Sequence, residues 1–362
     1  MGTKLTGLSR ELIVHPGETL IELLETRGMS QKDLAIRAGY TEKHISRIIN
    51  GLAPIRVPFA VALESALGVS ASFWMNLQSF YDIEIKQLED REVITEEELS
   101  ILSKLKPIVK YMQNMSILPN NLSKQESIVA VRKALSVSNL TYIPSLSVSV
   151  AFRKEASTNA DLYVLYSWLK LCDIFADRVN AEGEFCEERL KSCLPKIKAL
   201  MFKNIDSVVK ELTAIFSYCG IKFCVVKHFA GAPVQGFIKR NNKNEIVLCM
   251  TIRRSYADIF WFTLFHEIGH LLNGDIKTHF IDYDFLVNES EDNANSFASD
   301  YLLNPESYRE FINKGNYSLD SIKFFSSQQG VRPYIVIGRM QKERYLSYKA
   351  YPNEKVKYKW AE

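Results

Sequence analysis

The sequence contains no apolar run approaching the roughly 18 to 20 residues that a membrane-spanning helix requires. Its first residues, MGTKLTGLSRELIVHPGE, lack the apolar core of a signal peptide, so a soluble cytoplasmic chain with no membrane partner is expected. Net charge is nearly absent: 45 Lys+Arg against 42 Asp+Glu leave +3 on 362 residues. That balance excludes a chain that is basic throughout, but not a local basic face. The six cysteines, Cys172, Cys186, Cys193, Cys219, Cys224 and Cys249, include no C-x-x-C pair. Neither a disulfide framework nor a cysteine zinc cage is indicated, and reduced, buried thiols are expected. Repeats and low-complexity tracts are also missing. What is present is a 47% hydrophobic composition, ample for a core, at a length that points to two or three units.

The positive charge is concentrated. From Arg27 to Arg56 the basic residues Arg27, Lys32, Arg37, Lys43, Arg47 and Arg56 outweigh Asp33 and Glu42, a net +4, while the rest of the first eighty residues is acidic. The same segment is patterned as short helices. Glu18 to Thr26 carries Leu20, Leu23 and Leu24 on one face and ends at Arg27-Gly28. Ser30, with Asp33 three residues on, caps a second helix that ends at Gly39-Tyr40. Thr41 caps a third, whose Ile45, Ile48 and Ile49 point inward. Two short helices joined by a turn containing Gly form a helix-turn-helix, and helices at Pro58 to Leu67 and Ser72 to Phe80 would close the bundle. The recognition helix would present Glu42, Lys43, His44 and Arg47 to base edges or phosphates, with Gln31 facing a phosphate.

The expected organisation is an all-α helix-turn-helix bundle over 1–82, an α-helical middle region over 83–203, and an α+β domain over 204–362. Within the middle region, NLTYIPSLSVSVAFRK reads as β-rich or irregular. From Asn204 a helix is followed by strands KFCVVKHF, VQGFIKR and EIVLCM, the last two forming a hairpin, and then by an apolar helix beginning near Tyr256.

That last helix contains His266-Glu267-Ile268-Gly269-His270. Histidines four apart on a helix lie about 40° apart around the axis and about 6 Å apart along it, so both imidazoles can reach one metal ion. Glu267 projects beside them as a general base for water. Zinc hydrolases need a third protein ligand. The next helix, SEDNANSFASDYLL, offers Glu291, with Asn295 one turn on as a partner that would orient a ligand histidine. Glu289 competes for the ligand role, and His279 could also be drawn in. Gln235, Gly236 and Phe237 on the hairpin are candidate substrate contacts, because an exposed strand can pair with an extended peptide. Arg332, Tyr334 and Arg339 are candidates for an oxyanion donor, with nothing to choose between them.

FHEIGHLLNG followed by ESEDNANSFASDYLLNP resembles the ImmA/IrrE family of zinc metallopeptidases. The resemblance implies a zincin-like domain that binds Zn2+ through His266, His270 and Glu291, with Glu267 as catalytic base. HPGETLIELLETRGMSQKDLAIRAGYTEKHISRIINGLAPI, followed by ALGVSASFWMNLQSFYD, is similar to the HigA-type antitoxins with their lambda-repressor-like helix-turn-helix. Together these resemblances imply a transcriptional regulator that binds a double-stranded DNA operator, as a homodimer, and acts as a zinc metalloendopeptidase on a regulatory protein or peptide substrate. The competing expectation is an antitoxin and autorepressor that binds a toxin protein, its peptidase-like domain serving as a non-hydrolytic sensor.

Overall fold

The computed structural model of the chain describes residues 12–146, 160–274, 276 and 287–359. The chain divides into two compact units, one ending at Ser100 but also taking in Ser116–Val131, the other made of Ile101–Met115 and the chain from Arg132. Among the described residues no helix is long and apolar enough to cross a membrane.

The first unit is built from α1 (Pro16–Thr26), α2 (Gln31–Ala38), α3 (Glu42–Ile49), α4 (Val57–Leu67) and α5 (Ala71–Glu92). Each start has a local cause. Pro16 opens α1, where its missing N–H costs nothing. Ser30 and Asp33 form a reciprocal capping box on α2. The Thr41 hydroxyl accepts from His44 N–H to cap α3. Gly39, at φ 71°, takes the left-handed conformation that ends α2 and turns the chain into α3. Leu20, Leu34, Ile45, Ile48, Phe59, Leu63 and Trp74 meet in one fully buried core, where each large side chain contributes about 2 kcal/mol by leaving water. α5 runs past the expected end at Phe80 to Glu92, because DIEIKQLED contains no residue that breaks a helix. Beyond it, α6 (Glu96–Lys104), α7 (Lys106–Asn114) and α8 (Lys124–Leu135) are divided between the two units. Of the stretch expected to be β-rich or irregular, Leu140–Ser145 forms a 3₁₀ turn and 147–154 lie outside the described residues.

The second unit contains α9 (Leu162–Asp177), α10 (Glu187–Ala199), α11 (Ile205–Tyr218), β1 (Ile221–Val225), β2 (Gly236–Arg240) and β3 (Ile246–Met250). These are followed by α12 (Ala257–Leu272), α13 (Val287–Leu302), α14 (Pro305–Asn313), α15 (Leu319–Gln328) and α16 (Pro333–Lys342). The sheet order is β1-β3-β2, with β1 parallel and β2 antiparallel to β3. The hairpin joins β2 to β3 through Asn241–Asn244, where Asn241 Oδ1 accepts from the amides of Lys243 and Glu245. β3 is central and buried along its whole length, which is why it reads IVLCM without polar alternation. α12 buries Trp261, Leu264, Phe265 and Ile268 in the core of this unit and packs against both β2 and α13.

Candidate metal centre and helix-turn-helix face

The approach of α12 to α13 is permitted by small residues. A Cβ built on Gly269 would meet Ala294 Cα at 3.1 Å and Ala294 O at 3.2 Å. The glycine inside the His-Glu-x-x-His motif is therefore where the second helix crosses. Ala294 lies one turn after Glu291, so the crossing brings the Glu291 carboxylate over the two histidines. Glu291 Oε2 lies 3.3 Å from His266 Nε2, and Oε1 lies 3.3 Å from His270 Nε2. The two Nε2 atoms are 3.1 Å apart, with the rings nearly perpendicular at 88°. One donor atom from each of the three residues lies within 4.8 Å of the others. Two imidazole nitrogens and a carboxylate oxygen converging in this way match the donor types that hold zinc.

The two carboxylates are shifted in opposite directions. Burial pushes Glu267 up to about 7, with Glu291 adding to the rise, while His266 and a hydrogen bond from the Ile238 amide act against it. Glu267 is only 8% exposed. Hydrogen bonds with His266 and His270 hold Glu291 well below the usual carboxylate range, against the effect of its partial burial.

The remaining expected site residues are distributed as follows. Asn295 is half-buried on α13, but Nδ1 of His266 is buried without a hydrogen-bond partner, so Asn295 does not hold that ring. His279 and the side chain of Glu289 lie outside the described residues. Gln235 is held beside α12 by a long contact from Thr263 Oγ1 to its Oε1, 3.4 Å. Gly236 lies so close to Thr263 and Met250 that a Cβ would meet Met250 Sδ at 2.8 Å. Phe237 turns the other way: strand alternation buries it edge-on against Trp168, with ring centroids 5.6 Å apart, which makes it a core residue rather than a substrate contact. The three candidate oxyanion donors are engaged in packing. Arg332 reaches the carbonyls of Met201 and Phe202, Tyr334 is buried beside Tyr358, and Arg339 binds Ser299 O and Glu343. The Ile238 amide that bonds Glu267 was not foreseen, since a backbone group leaves no residue-type signature.

In the first unit, Gln31 is the first residue of α2, and Glu42, Lys43 and Arg47 are exposed on α3. Arg47 donates to Leu52 O at 3.3 Å. His44 is half-buried, stacked on Tyr40 at 4.9 Å and edge-on to Phe59 at 5.2 Å. Its ring supports the turn between the two helices more than it faces outward.

The helix-turn-helix family matches residues 20–74. Antitoxin HigA-1 of Vibrio cholerae serotype O1 is 38% identical over 71 residues, covering 19% of this chain and 67% of that antitoxin. Two solved structures are also similar to part of the chain. An addiction module antidote protein of the HigA family from Coxiella burnetii is 31% identical, covering 23% of this chain and 95% of its own, with a TM-score of 0.21. A protein of Nostoc punctiforme assigned as the antidote of a plasmid maintenance system is 30% identical, covering 22% and 87%, with a TM-score of 0.22. Through this N-terminal segment the chain belongs to the HigA-type helix-turn-helix family.

Proposed function

We propose that the chain is a cytoplasmic DNA-binding regulator carrying a zinc-dependent peptidase activity directed at a regulatory protein. The observation that carries the second half of this reading is the convergence of His266, His270 and Glu291 beside a buried Glu267. His266 and His270 offer Nε2 and Glu291 offers a carboxylate oxygen, a donor set that fits zinc and leaves a fourth position open. Zinc held there would polarise a carbonyl and acidify water. Glu267 is a buried carboxylate beside those donors, the group type that can take a proton from water and return it to a leaving amine. β2 is an edge strand of the sheet and runs beside α12, where the backbone of an extended peptide can align with it.

The similarity to HigA antitoxins supports DNA binding through α3, with Lys43 and Arg47 on phosphates or guanine edges, Glu42 beside them and Gln31 on a phosphate. A homodimer would place two such helices on two half-sites. The same similarity favours one rival, an antitoxin and autorepressor that binds a toxin protein and uses the second unit without hydrolysis.

Metal content measured by mass spectrometry tests the reading. About one zinc per chain is expected in the wild type, with loss in both His266→Ala and Glu291→Ala. A wild type that holds no zinc after purification without chelators, and none after reconstitution, overturns it.

A further inference from the structure

Three thiols that the proposed chemistry does not use are gathered in the sheet of the second unit. Cys224 on β1 and Cys249 on β3 are partners in the parallel register, and their Sγ atoms lie 2.8 Å apart. Cys172 is on α9, which packs on both strands, and it lies near enough to Cys249 for each thiol to perturb the other. Cys172 and Cys249 are fully buried, whereas Cys224 retains 7% exposure and is the member a small solute reaches first. All are free thiols, and the charged neighbours facing them are Lys239 and Asp173, paired with each other. Buried cysteines are ordinarily inert, small apolar filling. Two on adjacent strands in register, with sulfurs in contact, have only about 0.8 Å to close to reach the length of a disulfide bond, about 2.0 Å.

We infer that Cys224 and Cys249 form a peroxide-reactive thiol pair, with Cys172 as its exchange partner. Cys224 loses its proton and attacks one peroxide oxygen; the O–O bond breaks, leaving a sulfenic acid and one water. The Cys249 sulfur then displaces the sulfenic oxygen as a second water. Two thiols thus give up two protons and two electrons, and one peroxide becomes two waters. Attack by Cys172 on Cys249 can move the bond and release Cys224. Burial raises the Cys172 and Cys249 thiols, and the contact with Cys249, together with burial, raises Cys224, so the thiolate is scarce at neutral pH and the oxidation rate rises about tenfold per pH unit there. The bond closes a loop from residue 224 to residue 249 that contains all of β2, the strand beside Glu267.

The test treats the full-length wild type with hydrogen peroxide under native conditions, blocks the remaining thiols and maps the peptides by mass. The expected result is a Cys224–Cys249 linkage that is reversed by dithiothreitol. It should persist in Cys172→Ala, and the melting temperature should rise by several degrees over the reduced form. The inference is overturned if all three cysteines stay open to alkylation after denaturation while half-buried Cys186 has been oxidised. A bond that instead joins Cys193 to Cys219 overturns it equally. The mapping needs neither metal nor hydrolysis, so its failure leaves the peptidase reading untouched.

Discussion

Glu267 is a carboxylate placed where water cannot easily solvate its charge, and that placement has a measurable consequence in the metal-free chain. Its folded pKa of about 7 lies above the ordinary 4.5, so across that window the folded chain keeps a proton that the unfolded chain has released. Stability therefore falls as pH rises from about 4.5 to 7, by up to about 3 kcal/mol from this group. Glu291 works in the opposite direction and in another window. Its pKa is depressed, so its contribution is present above the ordinary carboxylate value and is lost on acidification below it. Urea denaturation of the metal-free second unit at pH 5 and pH 8 should show the fall, and Glu267→Gln should remove most of it. A wild type equally stable at both values would mean that Glu267 is ionised and solvated. On α3, two neighbouring residues separate by the same kind of reasoning. Lys43 is exposed, so Lys43→Ala should weaken operator binding and lower the salt slope by about 1. His44 packs on Tyr40 and Phe59, so His44→Ala should destabilise the first unit by about 1 kcal/mol. Fluorescence anisotropy at several salt concentrations, beside thermal melts, distinguishes the two effects.

The decisive contact between elements is the crossing of α12 and α13 at Gly269 and Ala294. Gly269→Leu would force these helices apart, with an overpacking cost of about 1 to 3 kcal/mol, and would withdraw Glu291 from the histidines. Zinc affinity should fall at least tenfold, as read by competition with a chelating dye, while α1 to α5 keep their melting behaviour. Unchanged affinity would mean that the carboxylate is delivered by some other contact. This crossing also shows where sequence reasoning succeeds and where it stops. The helix-turn-helix was legible because Ser30, Thr41 and Gly39 act within a few residues of where they stand. The two histidines were legible because a helix fixes their separation. Glu291 required a contact between helices that no spacing along the chain prescribes, and Glu289 remained its rival. Phe237 was read as a substrate contact because an exposed hairpin strand can pair with an extended peptide; the face it shows is decided by Trp168, about seventy residues away in sequence. The extension of α5 beyond Phe80 was missed for the opposite reason: a polar helix without a breaker leaves no apolar stripe to follow.

At the scale of the whole chain, the two readings of its function differ in one covalent event. A regulator that works by cutting a protein and a repressor that works by holding one would share the helix-turn-helix and could share the zinc. Glu267→Gln separates them because it removes a proton acceptor while leaving His266, His270 and Glu291 in place, and a glutamine amide fits the same buried volume. The full-length variant is expected to hold about one zinc per chain and to bind the operator with wild-type affinity and salt dependence, because α3 is untouched. Reporter expression from the operator should then be measured in cells under an inducing stress, beside the wild type and beside Lys43→Ala. If hydrolysis carries the function, Glu267→Gln should fail to respond, losing 10²-fold or more in the chemical step, while Lys43→Ala loses promoter occupancy instead. If the second unit only senses or holds a partner, the glutamine variant should respond like the wild type. That outcome would leave a zinc-containing repressor whose His-Glu-x-x-His helix serves as a scaffold.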